Sequence, residues 1–248
     1  DERERAKTIR SREVSGVIAE CEANHISIVT IEDDEYPALL KSIHNPPLVL
    51  FVQGDISGLD DTACLAVVGT RQPSGYAVSV TQRICAELSR MGVTLISGLA
   101  VGIDSAAHSA AVTNGSRTIG VLACGNLVDY PAASGELKQR ILRSGGALIS
   151  ELPPRTTVDP DYFQHRNRII SGLAHGTFIA EAPEVSGTRF TAEHTIQQGR
   201  ELFCLPPYDI FSKACSGVSQ YIRDGATPVL DTSDIIYGLG RYIVFPDG

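Results

Sequence analysis

The stretch Leu65-Ala-Val-Val-Gly69-Thr-Arg71 decides the fold, because a short β-branched run ends there in glycine and a helical pattern follows. Three more glycine-marked turns occur at Leu95–Asp104, Arg166–Gly172 and Glu181–Thr188. A strand that ends in Gly before a helix leaves unpaired N–H groups beside the positive end of the helix dipole. Such turns bind anions, most often phosphate. Several of them on one sheet edge predict a nucleotide or a nucleic-acid backbone as the ligand.

Strands and helices alternate through the rest of the chain. Short strands that are apolar on both faces indicate a parallel sheet covered on both sides. Right-handed crossovers make this an α/β, doubly wound, mostly parallel sheet with ligands at the carboxyl ends of its strands. The predicted strands are Leu65–Val68, Thr94–Ser97, Thr118–Leu122, Ala147–Ser150, Thr177–Ala180 and Glu201–Leu205, and the predicted helices are Ser74–Arg90, Asp104–Thr113, Ser134–Arg143, Arg166–Leu173, Thr188–Gln198 and Val218–Arg223. A final turn is predicted at Asp231–Ile236.

Charge divides the chain into two parts. Residues 1–61 hold 13 of the 29 acidic and 6 of the 21 basic residues, a balance of −7, whereas residues 62–248 hold 16 and 15, a balance of −1. We predict that 1–61 is an N-terminal extension, with strands at Ile26–Ile31 and Leu48–Val52, packed on a main domain at 62–248. A near-neutral main domain can still carry a local basic patch for nucleic acid. Because the chain begins with Asp, we also expect flanking segments to be missing.

Cysteine spacing and hydropathy indicate the cellular setting. The six cysteines are scattered without a C-x-x-C pair, which argues for buried thiols in a reducing cytoplasm and against a disulfide framework or zinc site. No apolar run approaches the roughly 18 residues that span a bilayer. No metal-ligand spacing and no nucleophile with a partnered base stands out. We therefore expect no metal, no cofactor and no catalysis.

Two of the glycine turns supply the first candidate site residues. Gly69 and Thr70 are expected to hold phosphate on their N–H groups, with the Arg71 guanidinium beside it as a bidentate partner. The bland alternative for Arg71 is a solvated loop residue. In the second turn we expect Ser97, Gly98 and Gly102 to line the site. Asp104 is interpreted as the cap of the following helix, with His108 beside it one turn later.

Two arginines and their neighbours form a second group. Arg166, Asn167 and Arg168 are predicted to open a helix, where two cations at the positive end conflict with the dipole unless an anion is bound. Salt bridges to Glu151 or Glu181 are the structural alternative. In the loop before them, Tyr162, Phe163 and His165 are candidates for stacking on unpaired bases, with core anchoring as the competing interpretation of Phe163.

The last candidates lie at two helices. Ser186, Gly187 and Thr188 offer N–H groups and hydroxyls to phosphate, although an ordinary Ser/Thr cap explains them as well. Lys138 falls on the helix after Pro131 and extends a basic strip in one interpretation or a plain solvated face in the other.

The chain resembles the DprA/Smf family of bacterial DNA-processing proteins in motifs that follow the family order over residues 26–236. These motifs are Tyr36-Pro37-Ala-Leu-Leu40, Gly69-Thr-Arg71, Ser97-Gly-Leu-Ala-Val-Gly-Ile-Asp104, Tyr130-Pro131, Ser150-Glu151-Leu-Pro-Pro154, Arg166-Asn-Arg-Ile-Ile-Ser-Gly-Leu173, Glu181-Ala182, Ser186-Gly187, Gln198-Gly-Arg200 and Ile222-Arg-Asp-Gly-Ala226. The resemblance implies an extended Rossmann-like domain that forms homodimers and binds single-stranded DNA. It also implies delivery of that DNA to a RecA-type recombinase in natural transformation, with Arg71, Arg166 and Arg168 lining the DNA groove.

Two rival functions stay open. One is a nucleotide phosphoribohydrolase of the related LOG class, whose pattern has a Gly-Gly-x-Gly-Thr-x-x-Glu turn. Here Thr191 stands where the acid would be, which removes the carboxylate that would stabilise oxocarbenium-type chemistry. The other is a nucleotide-sensing domain that uses the same pocket for a small ligand.

Overall fold

A nine-stranded sheet organises the chain, of which the computed structural model describes residues 2–240 and Tyr242, with side chains from residue 13 onward. The helices are α1 (Glu2–Ala23), α2 (Ala38–Lys41), α3 (Gly75–Arg90), α4 (Ile103–Thr113), α5 (Ser134–Arg143), α6 (Pro160–Gly172), α7 (Thr188–Gln197), α8 (Ser216–Arg223) and α9 (Thr232–Leu239). The strands are β1 (Ile26–Thr30), β2 (Val49–Gly54), β3 (Cys64–Val68), β4 (Thr94–Ser97), β5 (Thr118–Val121), β6 (Ala147–Ser150), β7 (Gly176–Ile179), β8 (Glu201–Cys204) and β9 (Thr227–Pro228).

The strand order places a reversal point in the middle of the sheet. The order is β1-β2-β6-β5-β4-β3-β7-β8-β9. From β3 the chain moves outward through β4, β5 and β6, then returns to the other side of β3 for β7, β8 and β9. All of these pairs are parallel, while β2 joins β6 and β1 joins β2 antiparallel. The gap between the carboxyl ends of β3 and β7 is therefore the switch point at which such sheets bind ligands.

The strands are buried on both faces, as their apolar sequences predict. In β3, Ala66 and Val68 belong to one core cluster, whereas Leu65 and Val67 belong to the other. The first cluster includes residues of α6, α7 and α8, and the second includes residues of α3, α4 and α9. The prediction of a mostly parallel, doubly wound Rossmann-like sheet with helices on both faces is thus confirmed.

The N-terminal segment joins the same sheet. Ile26 pairs with Gln53 and Thr30 with Val49, and β2 in turn pairs with β6 from Phe51↔Ser150 to Gly54↔Ala147. These two strands lie where the sequence predicts them. The boundary at residue 61 stays a prediction, because the sheet itself is continuous across it.

Two element predictions are wrong. The helix predicted from Arg166 begins at Pro160, since Asp159 caps it by accepting the Asp161 N–H at 2.9 Å and Pro fits a first helical turn. The turn predicted at Asp231–Ile236 is the helix α9, which starts with a capping box between Asp231 and Asp234.

Each described helix is too short or too polar to cross a membrane. In the same part of the chain, no three metal-ligating side chains come together in one place.

Candidate nucleic-acid interface

A cavity of about 330 Å³ opens at the carboxyl edge of the sheet, at the switch point between β3 and β7. We call it the edge cavity. Nine of the fourteen predicted site residues line it: Gly69, Thr70, Arg71, Phe163, Arg166, Asn167, Ser186, Gly187 and Thr188. Its remaining lining residues are Val68, Ala100, Asp104, Ile170, Pro183, Val185 and Thr191. Residues from three separate glycine turns therefore meet at one place, as parallel strand ends require.

The loop from β3 to α3 uses part of its amides internally. The Thr70 N–H donates to the Glu181 carbonyl at 2.7 Å, and the Gln72 N–H donates to the Thr70 hydroxyl at 3.2 Å. The prediction that the Thr70 amide holds phosphate is therefore wrong. What the loop offers is the exposed Arg71 guanidinium, which lies 5.2 Å from the centre of the Phe163 ring.

A buried carboxylate fixes that loop against α3. Glu181 is 1% exposed and accepts both the N–H of Ser74 at 3.0 Å and its hydroxyl at 2.5 Å. Ser74 in turn accepts the Ala77 N–H and caps α3. Gly69 must lack a side chain here, because a Cβ would lie 2.6 Å from Ile103 and 3.0 Å from the Glu181 carbonyl. Arg71 consequently projects from a rigid base.

The second glycine turn is closed by Asp104. Its carboxylate accepts the N–H of Gly98 at 3.1 Å and that of Ala100 at 3.4 Å. The prediction that Asp104 caps α4 is wrong, since Gly102 occupies the cap position. His108 likewise contacts Thr118 Oγ1 at 2.8 Å. The Asp104 carboxylate thus occupies the position at the Gly98 turn where the sequence predicts a bound anion.

Two other predicted site residues, Ser97 and Gly102, lie outside the edge cavity and support the Gly98 turn. Ser97 is buried and donates its hydroxyl to the Val67 carbonyl at 2.6 Å. At Gly102, where φ is +88°, a Cβ would lie 2.4 Å from the Thr70 carbonyl. Ser97 and Gly102 therefore hold together β3, β4 and the loop that carries Arg71.

Arg166 is a buried cation between the Gly98 turn and the end of β5. Its Nη1 donates to the Gly98 carbonyl at 2.7 Å and to the Val121 carbonyl, and its Nε donates to Asn167 Oδ1. Burial lowers the pKa of Arg166 to about 10, against the opposing effect of Asp104. Burial also raises the pKa of Asp104, and Arg166 opposes that rise. The two groups form a buried pair of opposite charges at the floor of the edge cavity.

The argument from the helix dipole fails for both arginines, because Arg166 and Arg168 lie in the interior of α6. Arg168 donates to Glu151 Oε1 at 2.7 Å and to the Asn45 carbonyl at 3.1 Å. The structural alternative, a salt bridge to Glu151, is confirmed for this residue. Arg168 lines a separate cavity of about 280 Å³ on the far side of α6, together with Tyr162 and His165.

The start of α7 is the open turn. No hydrogen bond in the described part of the chain uses the N–H groups of Ser186, Gly187 or Thr188. Gly187 is the cap residue and no side chain caps the helix, so the Ser/Thr-cap alternative is wrong. The Ser186 hydroxyl is also buried with no partner among the described residues. Asn167 holds this turn in place by donating Nδ2 to the Gly187 carbonyl at 3.3 Å.

A smaller pocket of about 80 Å³ adjoins the edge cavity across Arg71 and Phe163. We call it the side pocket. Leu99, Leu122 and Tyr130 line it, and so does Gly98. The Tyr130 ring centre lies 5.5 Å from that of Phe163. Phe163 is half-buried and contributes to both cavities, which places an aromatic wall between a polar and an apolar compartment.

Lys138 corrects a further prediction. Its side chain is buried at 3% exposure, so it belongs neither to a basic strip nor to a solvated face. Its Nζ donates to the Val128 carbonyl at 2.5 Å and lies 3.1 Å from Asp129. Because the charge is paired within the protein, Lys138 stabilises the segment before α5.

Sequence reasoning missed the internal acceptors. Glu181 and Asp104 decide which amides remain free, and the sequence prediction gives this role to neither. Asp104 had a local signal, since an acid six residues after Gly98 can reach back to its N–H. The Glu181 bond to Ser74 joins residues 107 positions apart and has no such signal.

Comparisons with known proteins identify the family. The family model described as DNA recombination-mediator protein A matches residues 27–240. The DNA processing protein DprA of Bacillus subtilis is 37% identical over 219 residues, which cover 88% of this chain and 73% of that protein. Among the curated relatives compared, the matched region makes up 56% to 73% of their length.

Two solved structures share the fold. DNA processing protein A from Streptococcus pneumoniae superimposes with a TM-score of 0.81 at 32% identity, covering 93% of this chain and 78% of that one. DNA processing protein A from Helicobacter pylori, whose structure concerns its single-stranded DNA binding mode, gives a TM-score of 0.78 at 26% identity, covering 89% of this chain and 99% of that one.

Proposed function

Because the chain belongs to the DprA/Smf family of DNA recombination-mediator proteins, we propose that it binds single-stranded DNA along the carboxyl edge of its sheet. A relative of the same fold is described in its single-stranded DNA binding mode. The observation that carries the proposal in this chain is that three N–H groups at the start of α7, which have no acceptor among the described residues, meet the Arg71 guanidinium in one cavity. A phosphate held there accepts charge-assisted hydrogen bonds from both walls.

The buried pair at the cavity floor tunes this site. Arg166 is committed to the Gly98 and Val121 carbonyls, so it acts on a phosphate through its charge and through the one guanidinium nitrogen, Nη2, that has no hydrogen bond within the described residues. Asp104 offsets part of that charge. Arg71, which is exposed, is consequently the cation most available to an incoming strand.

Base contact is proposed at the wall between the two compartments. Phe163 lies under the Arg71 guanidinium and beside Tyr130. An unpaired base can stack on such a ring whatever its identity, which gives binding with little sequence preference. The phosphate then lies in the edge cavity and the base lies toward the side pocket.

Fluorescence anisotropy of labelled oligothymidine at several salt concentrations tests this proposal. We expect affinity to fall with salt, because each neutralised phosphate contributes about −0.7 to the logarithmic slope for a single strand. Arg71→Ala should weaken binding roughly tenfold or more, as expected for one charge-assisted contact, and should reduce the slope by about one such contribution.

Arg83→Ala is the matched control, since Arg83 is an exposed arginine on α3, the helix that follows the loop of Arg71, and bonds Glu87 rather than lining the cavity. It should bind as the wild type does. Failure of the wild type to bind, or a salt-independent constant, would disprove the proposal.

We further propose that the edge cavity is not a nucleotide-hydrolysing active site. Thr191 lines the cavity at the position where the LOG pattern has its acid, and it is 2% exposed. The Asp104 carboxylate lines the cavity too, but it already accepts two backbone N–H groups. Release of free base from nucleoside monophosphates would contradict this. A large thermal shift with a mononucleotide, but none with oligonucleotide, would favour the sensor alternative.

Membership of the family also suggests where the protein acts and with which partners. We propose that the protein acts in the cytoplasm as a homodimer and protects incoming single strands. We also propose that it loads a RecA-type recombinase onto them in natural transformation. Light scattering at increasing concentration tests the dimer. Faster recombinase assembly on strands already coated with this protein tests the loading role, and unchanged assembly argues against it.

A further inference from the structure

Beyond the edge cavity, the loop after β8 exposes aromatic and aliphatic side chains to water. Tyr208 is 52% exposed and Phe211 is 87% exposed, with Ile210 between them at 75%. Burying such side chains is normally favourable, so an exposed cluster of them is a feature that requires a reason.

Hydrogen bonds within the loop hold these rings in place. Asp209 Oδ1 accepts the Phe211 N–H at 2.9 Å, and the Tyr208 and Ser212 hydroxyls lie 3.2 Å apart. Further along, the Gly217 N–H donates to the Ala182 carbonyl at 3.0 Å. The loop is therefore turned so that its rings point outward while its end is attached to the chain beside Pro183.

The attachment connects the loop with the edge cavity. Pro183 lines that cavity, and the next residue, Glu184, donates its N–H to the Ser216 hydroxyl at 3.0 Å. The backbone that walls the cavity is thus hydrogen-bonded to the segment that follows the exposed rings in the chain.

A third exposed ring, from the start of α3, lies next to Tyr208. Tyr76 is the second residue of α3, five positions after Arg71, and is 42% exposed. Its ring centre lies 6.1 Å from that of Tyr208, with the planes tilted by 58°. We group Tyr76 and Tyr208 with Phe211, three residues further along the same loop, as the aromatic platform, which begins five residues after Arg71 in the chain.

We propose that the aromatic platform binds the bases of the same DNA strand whose phosphate occupies the edge cavity, and so lengthens the binding site. This inference rests on the proposed function. Continuity with the edge cavity identifies the occupant, because a strand leaving the Arg71 loop next meets Tyr76 and then the β8 loop. Ring faces with hydroxyls at their edges suit unpaired bases, which stack without sequence preference.

An introduced indole tests the contact directly, since the chain contains no tryptophan. Phe211→Trp keeps a stacking ring and adds a fluorophore. An oligothymidine of about 4 nucleotides should fill the edge cavity with little change in emission, whereas one of about 16 nucleotides should quench it. A strand of the same length with abasic sites outside the anchoring nucleotides should bind without quenching.

The double variant Tyr208→Ala/Phe211→Ala measures the contribution of the platform. We expect the short oligonucleotide to bind as before and the long one to bind roughly tenfold more weakly, which is the loss expected for removed base stacking. Tyr237→Ala is the matched control, because Tyr237 is a 92% exposed aromatic residue on α9 that lies outside the platform.

The outcomes separate the two levels of the proposal. If the wild type binds neither oligonucleotide, the proposed function is wrong. If the wild type and the double variant bind the long strand with equal affinity, only the inference about the aromatic platform is wrong. If the double variant changes the oligomeric state and leaves length dependence intact, the rings pack against a second copy of the chain and the inference is wrong.

Discussion

The turn at Gly98 and the turn at Gly187 carry the same sequence signal but differ in what their amides do. Both precede a helix and both lie at the carboxyl edge of the sheet. In the first, the Asp104 carboxylate already accepts the Gly98 and Ala100 N–H groups. In the second, the N–H groups of Ser186, Gly187 and Thr188 have no acceptor among the described residues. A glycine turn is thus an anion site, and its occupant is either built into the protein or taken from outside.

This difference assigns separate tasks to the two turns. The closed turn, with its buried Asp104 and Arg166, is a structural element whose charges are balanced within the fold. The open turn, with Arg71 across the cavity, is left with unmet hydrogen-bonding capacity that a phosphate can satisfy. Changes at the closed turn should therefore affect stability, and changes at the open turn should affect binding.

Removing the built-in anion should have the largest effect. Asp104→Ala leaves two amides without an acceptor and Arg166 as an uncompensated buried cation, so we expect a loss of about 3–5 kcal/mol in the free energy of unfolding. Asp104→Asn keeps an acceptor and should lose less. Urea denaturation measures both.

Added sulfate tests the need for an anion more directly, because it can replace the missing carboxylate. Sulfate should recover stability in Asp104→Ala to a greater extent than in the wild type. Equal stability of wild type and Asp104→Ala would show that the closed turn does not need its anion, and the comparison would fail.

Low pH should also lower the free energy of unfolding, through a histidine on the helix that follows the closed turn. His108 lies on α4, fully buried, and burial lowers its pKa to about 4, with the Arg166 charge acting in the same direction. The unfolded chain takes up this proton near pH 6.5, whereas the folded protein takes it up only near pH 4. The unfolded state binds more protons between these values, so the free energy of unfolding falls as the pH drops through that window, by about 3 kcal/mol in total.

His108→Gln should remove this part of the pH dependence, as measured by denaturant midpoints between pH 7 and pH 4. Because His108 does not line the edge cavity, bound oligothymidine should leave the size of this pH effect unchanged. A profile with the same slope in His108→Gln would assign the acid sensitivity to other groups.

The sequence predicts the sheet well because strands carry their signal locally. The sequence predicts a strand at Leu65–Val68 and the structure has it at Cys64–Val68, and the other parallel strands agree as closely. The predicted start of α6 at Arg166 lies six residues after the observed start at Pro160, although Asp159-Pro160 is a recognised start signal.

The site was predictable in its location and less so in its chemistry. Strand topology brings Gly69, Arg166 and Ser186 to one edge, and that follows from alternation of strands and helices. Which amides stay free depends on acceptors such as the Glu181 carbonyl, more than 100 residues from Thr70 in the chain. The position of Arg168 depends in the same way on the Asn45 carbonyl, 123 residues away in the chain. Lys138, by contrast, is held by Val128 and Asp129, which lie near it in the chain.

The smallest predicted effect concerns a single amide of the open turn. Gly187 has φ of −62°, which proline adopts, and a Cβ there meets no atom within 4 Å. Gly187→Pro therefore removes one N–H in a compatible conformation, and Gly187→Ala keeps it. We expect the proline variant to bind oligothymidine more weakly by about 1 kcal/mol, the usual net worth of one hydrogen bond, while the alanine variant binds normally. Both should unfold at similar urea concentrations, since no hydrogen bond within the described residues uses this amide. Equal binding by the two variants would mean that the phosphate lies elsewhere in the edge cavity, and the open turn would lose its assigned role.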